Sequence, residues 1–159
     1  MSLNNSFPSL RYVDTAQADM AGYALHLADC AILTRDGKIL LQYRPPQWRS
    51  SPDTLCIFGG HVDAGEDVMD GLLRELREEL GADVPRDEVV FLGAVTEAQT
   101  GHSEVVHVHF WHDRAGRITG CYEAEARHFD TVADALETGK VMEYASWALQ
   151  ACRARGLLP

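Results

Sequence analysis

Long apolar runs are missing from this chain, and so is any excess of positive charge. No hydrophobic stretch approaches the roughly 18 residues that a membrane-spanning helix needs. Lysine and arginine total 14 against 24 acidic residues, a formal net charge of −10. So acidic a chain lacks the basic face that non-specific binding to nucleic acid or anionic membrane requires. Cysteine is sparse and unpatterned: Cys30, Cys56, Cys121 and Cys152 make no Cys-X-X-Cys or metal-type spacing. This usage fits small core thiols in a reducing compartment. The opening MSLNNSFPSLRYVD has neither the basic start nor the apolar centre of a secretory signal, so a cytoplasmic location is expected. With no repeats or low-complexity tracts, the expectation is one domain over residues 21–156 behind a flexible polar segment, residues 1–20.

What is present is a run of strand patterns interrupted by one helical pattern and ended by another. Tyr23 to Leu33 alternates Leu25, Leu27, Ala31 and Leu33 against Ala24, His26, Ala28, Cys30 and Ile32, a strand buried on both faces. Arg35-Asp36-Gly37 signals a hairpin turn, and Lys38–Tyr43 is the returning strand. Thr54–Phe58 reads as a short apolar strand running into Gly59-Gly60, and Val89–Val95 and Glu104–Trp111 as two more. A short extended stretch is expected before Glu123, and helix over most of Val132–Arg155. The sum is an α/β protein, a mixed sheet with helices packed on its faces.

The informative segment is GGHVDAGEDVMDGLLRELREELGA, Gly59 to Ala82. Helical period from Asp67 to Leu80 stops at Gly81, a good C-terminal residue. At about 100° per residue, Val68, Met69, Leu72, Leu73, Leu76 and Leu80 form one apolar arc. Glu75, Glu78 and Glu79 crowd the neighbouring arc, with Glu79 at the apolar edge and Asp70 and Arg77 pointing outward. Like charges one turn apart destabilise an isolated helix. A solvated acidic face is the ordinary explanation. A divalent cation is the other, since hard carboxylate oxygens suit Mg²⁺ and the metal cancels their repulsion. The glycine pair upstream favours the second reading, because it lets backbone approach a ligand closely. Glu66 and Arg74 are placed to brace the glycine loop against the helix.

These residues resemble the signature of the Nudix hydrolases. That signature is a glycine, five residues, a glutamate, seven residues, then Arg-Glu-aliphatic-any-Glu-Glu-any-Gly-aliphatic; here the positions are Gly60, Glu66, Arg74, Glu75, Leu76, Glu78, Glu79 and Gly81. Ala82 departs at the last place, and Phe58 stands where many members have proline. The resemblance runs from about Tyr23 to Arg155 and implies an α/β/α sandwich around a mixed sheet. It further implies hydrolysis of a nucleoside diphosphate linked to another group: a nucleoside triphosphate, nucleotide sugar, ADP-ribose or dinucleoside polyphosphate. Mg²⁺, with Mn²⁺ as an alternative, would be held by Glu75, Glu78, Glu79 and the Gly59 carbonyl, with Gly60, Glu66, Arg74 and Gly81 shaping the motif. The partner implied is a small nucleotide-type substrate rather than a nucleic-acid polymer or a membrane. A homodimer is compatible with it.

Outside the motif, alternatives stay open. The general base is either a glutamate of the motif or a later acid, from Glu97, Glu104, Glu123 and Glu125. Glu125 lies where relatives often carry a glutamate, and is otherwise a solvated loop acid. Glu97 and His102 belong to the TEAQTGHSE loop, which either closes over the site or is an ordinary surface loop. Arg44, at a strand end where the family often has a substrate-facing arginine, is a substrate contact or a surface arginine. Trp48 stacks on a leaving group or serves as cover. His107, His109 and Trp111 share one strand face, which either lines a pocket around His107 or is a half-buried sheet face. Two other functions remain: a Nudix-like sensor without turnover, disfavoured by the intact acids, and an isoprenoid diphosphate isomerase, for which Cys56 is the one candidate thiol.

Overall fold

The computed structural model describes residues 6–159. Eight strands form one mixed sheet: β1 (Leu10–Val13), β2 (Leu25–Leu33), β3 (Ile39–Arg44), β4 (Thr54–Cys56), β5 (Phe58–His61), β6 (Val90–Glu97), β7 (Glu104–His112) and β8 (Glu125–Phe129). The main path runs β1-β6-β7-β2-β3-β4, with β5 added to β2 and β8 to β3. The β2–β7 pair is parallel, Leu25 opposite Glu104 through Leu33 opposite His112, and the other pairs are antiparallel.

Alternation along β2 sorts its side chains between two cores, as expected for a strand buried on both faces. Ala28, Cys30 and Ile32 join Leu72, Leu76 and Leu80 of helix α1 (Val68–Leu80). Leu27 and Ala31 face the other way, onto helices α2 (Val132–Glu137) and α3 (Glu143–Ala154). The result is the α/β/α sandwich the sequence implied. Among the described residues no helix is long and apolar enough to cross a membrane.

Four local readings are corrected. Leu10–Val13, inside the segment taken as flexible, is strand β1 paired with β6, because Phe7 and Leu10 bury into the α3-side core; residues 1–5 lie outside the described residues. The strand expected over Thr54–Phe58 is two. Thr54–Cys56 pairs with β3 and Phe58–His61 with β2, and the chain crosses at Ile57, whose carbonyl accepts from Gln42 Nε2 at 2.7 Å. The C-terminal helix is also two. The chain leaves α2 through Gly139, with φ of 68°, and Val141 bridges in parallel to Leu55 before α3 begins. Before Glu123 there is no strand: buried Asp113 accepts from the backbone N–H groups of Arg117 and Ile118, and Thr119 and Tyr122 bond back to the carbonyls at the end of α1.

Candidate active site

Asp67 caps the start of α1, its side chain accepting from Asp70 N–H, and Gly81 ends it in the left-handed conformation, φ 62°. Between these caps the helix packs onto β5, which carries Gly59 and Gly60. The two glycines are required for different reasons. Gly59 has φ of 150°, and a Cβ there would lie 2.0 Å from the Ala28 carbonyl oxygen. On Gly60 a Cβ would lie 2.6 Å from the Glu75 carboxyl carbon. The carboxylate of Glu75 therefore rests directly on backbone.

Glu79 sits deeper. Its residue is only 7% exposed, and its Oε2 accepts from Gly59 N–H at 3.0 Å. Burial, then the nearby carboxylates of Asp29, Glu75 and Glu123, push its pKa up to about 9. Burial likewise raises Glu75, partly offset by Arg74. Glu78 stands apart, its side chain 48% exposed against 14% for Glu75. Among the described residues no three acidic, histidine or cysteine side chains converge as a ready-made metal cage. The donor set nevertheless suits a hard divalent cation: anionic oxygens, too buried and too crowded to be comfortable without a compensating positive charge.

Arg74 carries the positive charge of this region. Its Nε and Nη2 donate to the two Glu66 oxygens, each at 3.0 Å, and Nη2 also reaches the His61 carbonyl at 3.0 Å. Nη1 donates to Glu75 at 2.9 Å. This fork-to-fork pair holds the Glu66 carboxyl down at about 2. Glu66 also accepts from Asp63 N–H at 2.9 Å, closing the turn before the helix. The expected brace between Glu66 and Arg74 is thus present, with a third member, Glu75.

On the α3 side of the sheet a cleft of about 300 Å³ begins at Gly59 and Gly60 and runs past Asp29, Gln42 and Arg44, with Glu97, Gln99 and Thr100 on its far rim. Arg44 therefore reaches the cleft, its Nε buried without a hydrogen-bond partner. Glu97 and Glu104 line it as well. His102 is tied to Thr96 at 2.8 Å instead.

Other candidates lie elsewhere. Glu125 is exposed and ion-paired with Arg127 at 2.8 Å. The later acid that does act on the motif is Glu123, whose charge raises both Glu75 and Glu79. Trp48 is half-buried in the turn after β3, away from the cleft lining. His107 faces the opposite side of the sheet from the cleft: it stacks on His26, whose Nε2 donates to the Met20 carbonyl at 2.9 Å, leaving Nδ1 to accept from His107 Nε2 at 3.1 Å. His109 bonds the Asp29 carbonyl, and Trp111 is fully buried with its N–H on Glu88. That strand face is sheet interior. Cys56 is wholly buried beside Tyr144, and burial pushes its thiol up to about 12, which leaves it inert.

Sequence reasoning passed over Asp29, Gln42 and Tyr144. A signal existed for the first: an aspartate in the middle of LHLADCAIL, a strand buried on both faces, demands a reason.

Comparison with known proteins agrees with this fold. A CTP pyrophosphohydrolase of Escherichia coli K12 is 41% identical over 83 residues, 52% of this chain and 57% of that protein. The chain spans about half the length of the curated relatives it matches. A MutT NUDIX hydrolase from Burkholderia pseudomallei superposes with a TM-score of 0.60 at 25% identity, covering 80% of this chain and 96% of that one. A mutT/nudix family protein from Listeria innocua shares the fold, with a TM-score of 0.64 at 18% identity over 84% and 94% of the two chains. Residues 24–148 match the NUDIX domain as a family, and the chain belongs to the Nudix family.

Proposed function

We propose that this protein is a divalent-cation-dependent pyrophosphohydrolase of nucleoside triphosphates or closely related nucleoside diphosphate derivatives. One observation carries the reading: Glu75 and Glu79 approach the Gly59-Gly60 backbone from beneath, at the mouth of a cleft large enough for the rest of a nucleotide. Glu75, Glu79, the more exposed Glu78 and the Gly59 carbonyl are the residues that would hold Mg²⁺ or Mn²⁺. Bound there, the cation would polarise the phosphoryl group and lower the pKa of the attacking water.

The chain's own part is placement. Arg74 fixes Glu66 and Glu75 relative to one another, so the glycine loop and the helix present their oxygens as one unit. Arg44 offers an unpaired donor inside the cleft. Glu123, close to both motif acids, is better placed than Glu125 to accept a proton from water at this mouth. Net hydrolysis adds water across one P–O–P bridge and leaves two phosphate-bearing products. The likeness to a CTP pyrophosphohydrolase favours a triphosphate, CTP among them. The intact acids favour turnover over a sensor role, and buried Cys56 leaves an isomerase without its thiol.

The test is product release from a panel of nucleoside triphosphates, nucleotide sugars, ADP-ribose and dinucleoside polyphosphates, with Mg²⁺, with Mn²⁺ and with chelator. Metal-dependent release of a mononucleotide from at least one compound is expected. No release from any of them would overturn the assignment.

A further inference from the structure

The wall of the cleft beside the glycine pair is built around a carboxylate, Asp29, which pairs with Gly59 across β2 and β5. Asp29 is only 4% exposed, yet it lines the cleft. Burying a carboxylate is costly unless it is paired or hydrogen-bonded, and the protein gives it one close partner: Tyr144 O–H, donating to Oδ2 at 2.5 Å. The Tyr144 oxygen lies 2.8 Å from Cys56 Sγ. Burial raises the Asp29 pKa to about 7. Tyr144 spends its one hydroxyl proton on Asp29, so the relay runs from the Cys56 thiol to Tyr144 to Asp29. It fixes Asp29 as an acceptor. Among the described residues no hydrogen bond reaches its Oδ1.

Two neighbours complete the pattern. Gln42 spends its amide N–H on the Ile57 carbonyl, which leaves its carbonyl oxygen as a second acceptor. Arg44 contributes a buried donor without a partner. A phosphate is a poor fit to this wall, since it would face Asp29, Glu97 and Glu104 against a single guanidinium. What fits is a planar edge carrying a hydrogen-bond donor next to an acceptor.

Resting on the reading of the substrate as a nucleotide, we infer that Asp29, held by Tyr144, is a specificity-determining residue that recognises the exocyclic amino group of the nucleobase. Cytosine presents N4–H₂ beside the N3 acceptor. Uracil reverses this order, with O4 as acceptor where cytosine has its amino group and N3–H as donor one place along, so it meets Asp29 only by shifting along the wall. A site built to hydrogen-bond a group rejects the analogue lacking it far more strongly than an apolar pocket would.

Binding of CMP and UMP is measured by calorimetry on the wild type, Asp29→Asn and Tyr144→Phe, together with kcat/KM for CTP and UTP. The wild type should favour the cytosine member by about tenfold or more. Asn offers both an acceptor and a donor, so Asp29→Asn should bring the ratio to within about threefold, mainly by weakening CMP. Tyr144→Phe frees the carboxylate without removing it and should narrow the ratio less. Thermal melts report folding; if Asp29→Asn does not fold, the wild-type ratio and Tyr144→Phe decide. Equal wild-type affinity for CMP and UMP overturns the inference. So does a loss in Asp29→Asn that is equal for both bases, or one that follows ribose against deoxyribose instead. Selective CMP binding without hydrolysis of any compound in the panel would sustain the inference while defeating the hydrolase reading.

Discussion

The two faces of the sheet solve the problem of buried charge in opposite ways. On the α1 face, Arg74 gathers Glu66 and Glu75 into one network and Gly59 N–H meets Glu79, so the acids are held by the protein's own donors. On the α3 face, Asp29 keeps an oxygen in reserve and Arg44 an N–H without a partner. The first arrangement is positioned by the protein's own donors, though Glu75 and Glu79 still lack a full compensating charge. The second is incomplete by itself, and completing it is the business of a ligand. The proposed chemistry and the proposed selectivity thereby lie on opposite faces of the sheet, joined at Gly59 and Gly60 and coupled by the Asp29 charge acting on Glu79.

The sharpest way to break this comparison is Glu79→Gln. The substitution is nearly isosteric, so the fold should survive, and relief of burial and of repulsion from Asp29 and Glu75 should hold or raise the melting temperature without metal. Activity should fall on the order of a hundredfold or more, about 3 kcal/mol of transition-state stabilisation. Near-wild-type turnover at saturating substrate and Mg²⁺ would remove Glu79 from the chemistry.

Next in size is Gly60→Ala, whose Cβ would meet the Glu75 carboxyl carbon at 2.6 Å. Glu75 must then swing away from the backbone, and misplacing a reacting group by an ångström can cost as much as a hundredfold. A loss of about tenfold to a hundredfold in kcat is expected, with KM for the nucleotide changing less. Full activity would show that the acids on the α1 face need no backbone contact.

Glu66→Gln should act more mildly, since it keeps a hydrogen-bond acceptor for Arg74 but removes the charge. About a tenfold loss of activity is expected, with Mg²⁺ affinity falling less than in Glu79→Gln. Titration of Mg²⁺ against both variants checks it. If metal binding is lost as completely from Glu66→Gln, Glu66 is itself a ligand and the division between brace and ligand fails.

The smallest effect concerns stability. Burial, with His26 and His109 nearby, lowers the His107 pKa to about 4. The unfolded chain takes up this proton near pH 6.5 and the native state does not. Stability from this group is therefore intact above pH 6.5 and is lost progressively as pH falls toward 4. Melting temperatures of the wild type and His107→Gln, measured from pH 7.5 to 4.5, should converge at the acid end; parallel curves would count against it.

The α1 face was legible in the sequence because its chemistry is local. Capping residues, apolar period, glycines and glutamates all lie within Gly59–Gly81, and helical geometry alone brings them together. Even so, the sequence offers Arg74 only as a brace for Glu66, whereas its guanidinium bridges Glu66 and Glu75; a wheel gives directions from the axis and says nothing of a long side chain folding back. The α3 face draws Asp29 from β2, Gln42 and Arg44 from β3 and Tyr144 from α3, and no local pattern links those four. His107 misled for the related reason that alternation on β7 shows which residues share a face without showing what covers it. Leu10–Val13 and the break at Gly139 depend on partners far along the chain, β6 for one and Leu55 for the other.

The parallel pairing of β2 with β7 has a consequence for how the protein comes into being. Its two strands are roughly eighty residues apart along the chain, and closing so long a loop comes late in folding. Helix α1 carries its own caps and the local Arg74–Glu66 pair, so it can begin to form before its apolar face finds β2. The seating of Gly59 against Asp29 waits for β2 to be fixed in the sheet. Refolding from denaturant should therefore restore helical circular dichroism ahead of enzymatic activity, and a nascent chain would carry its acids in helical register well before they had anywhere to work.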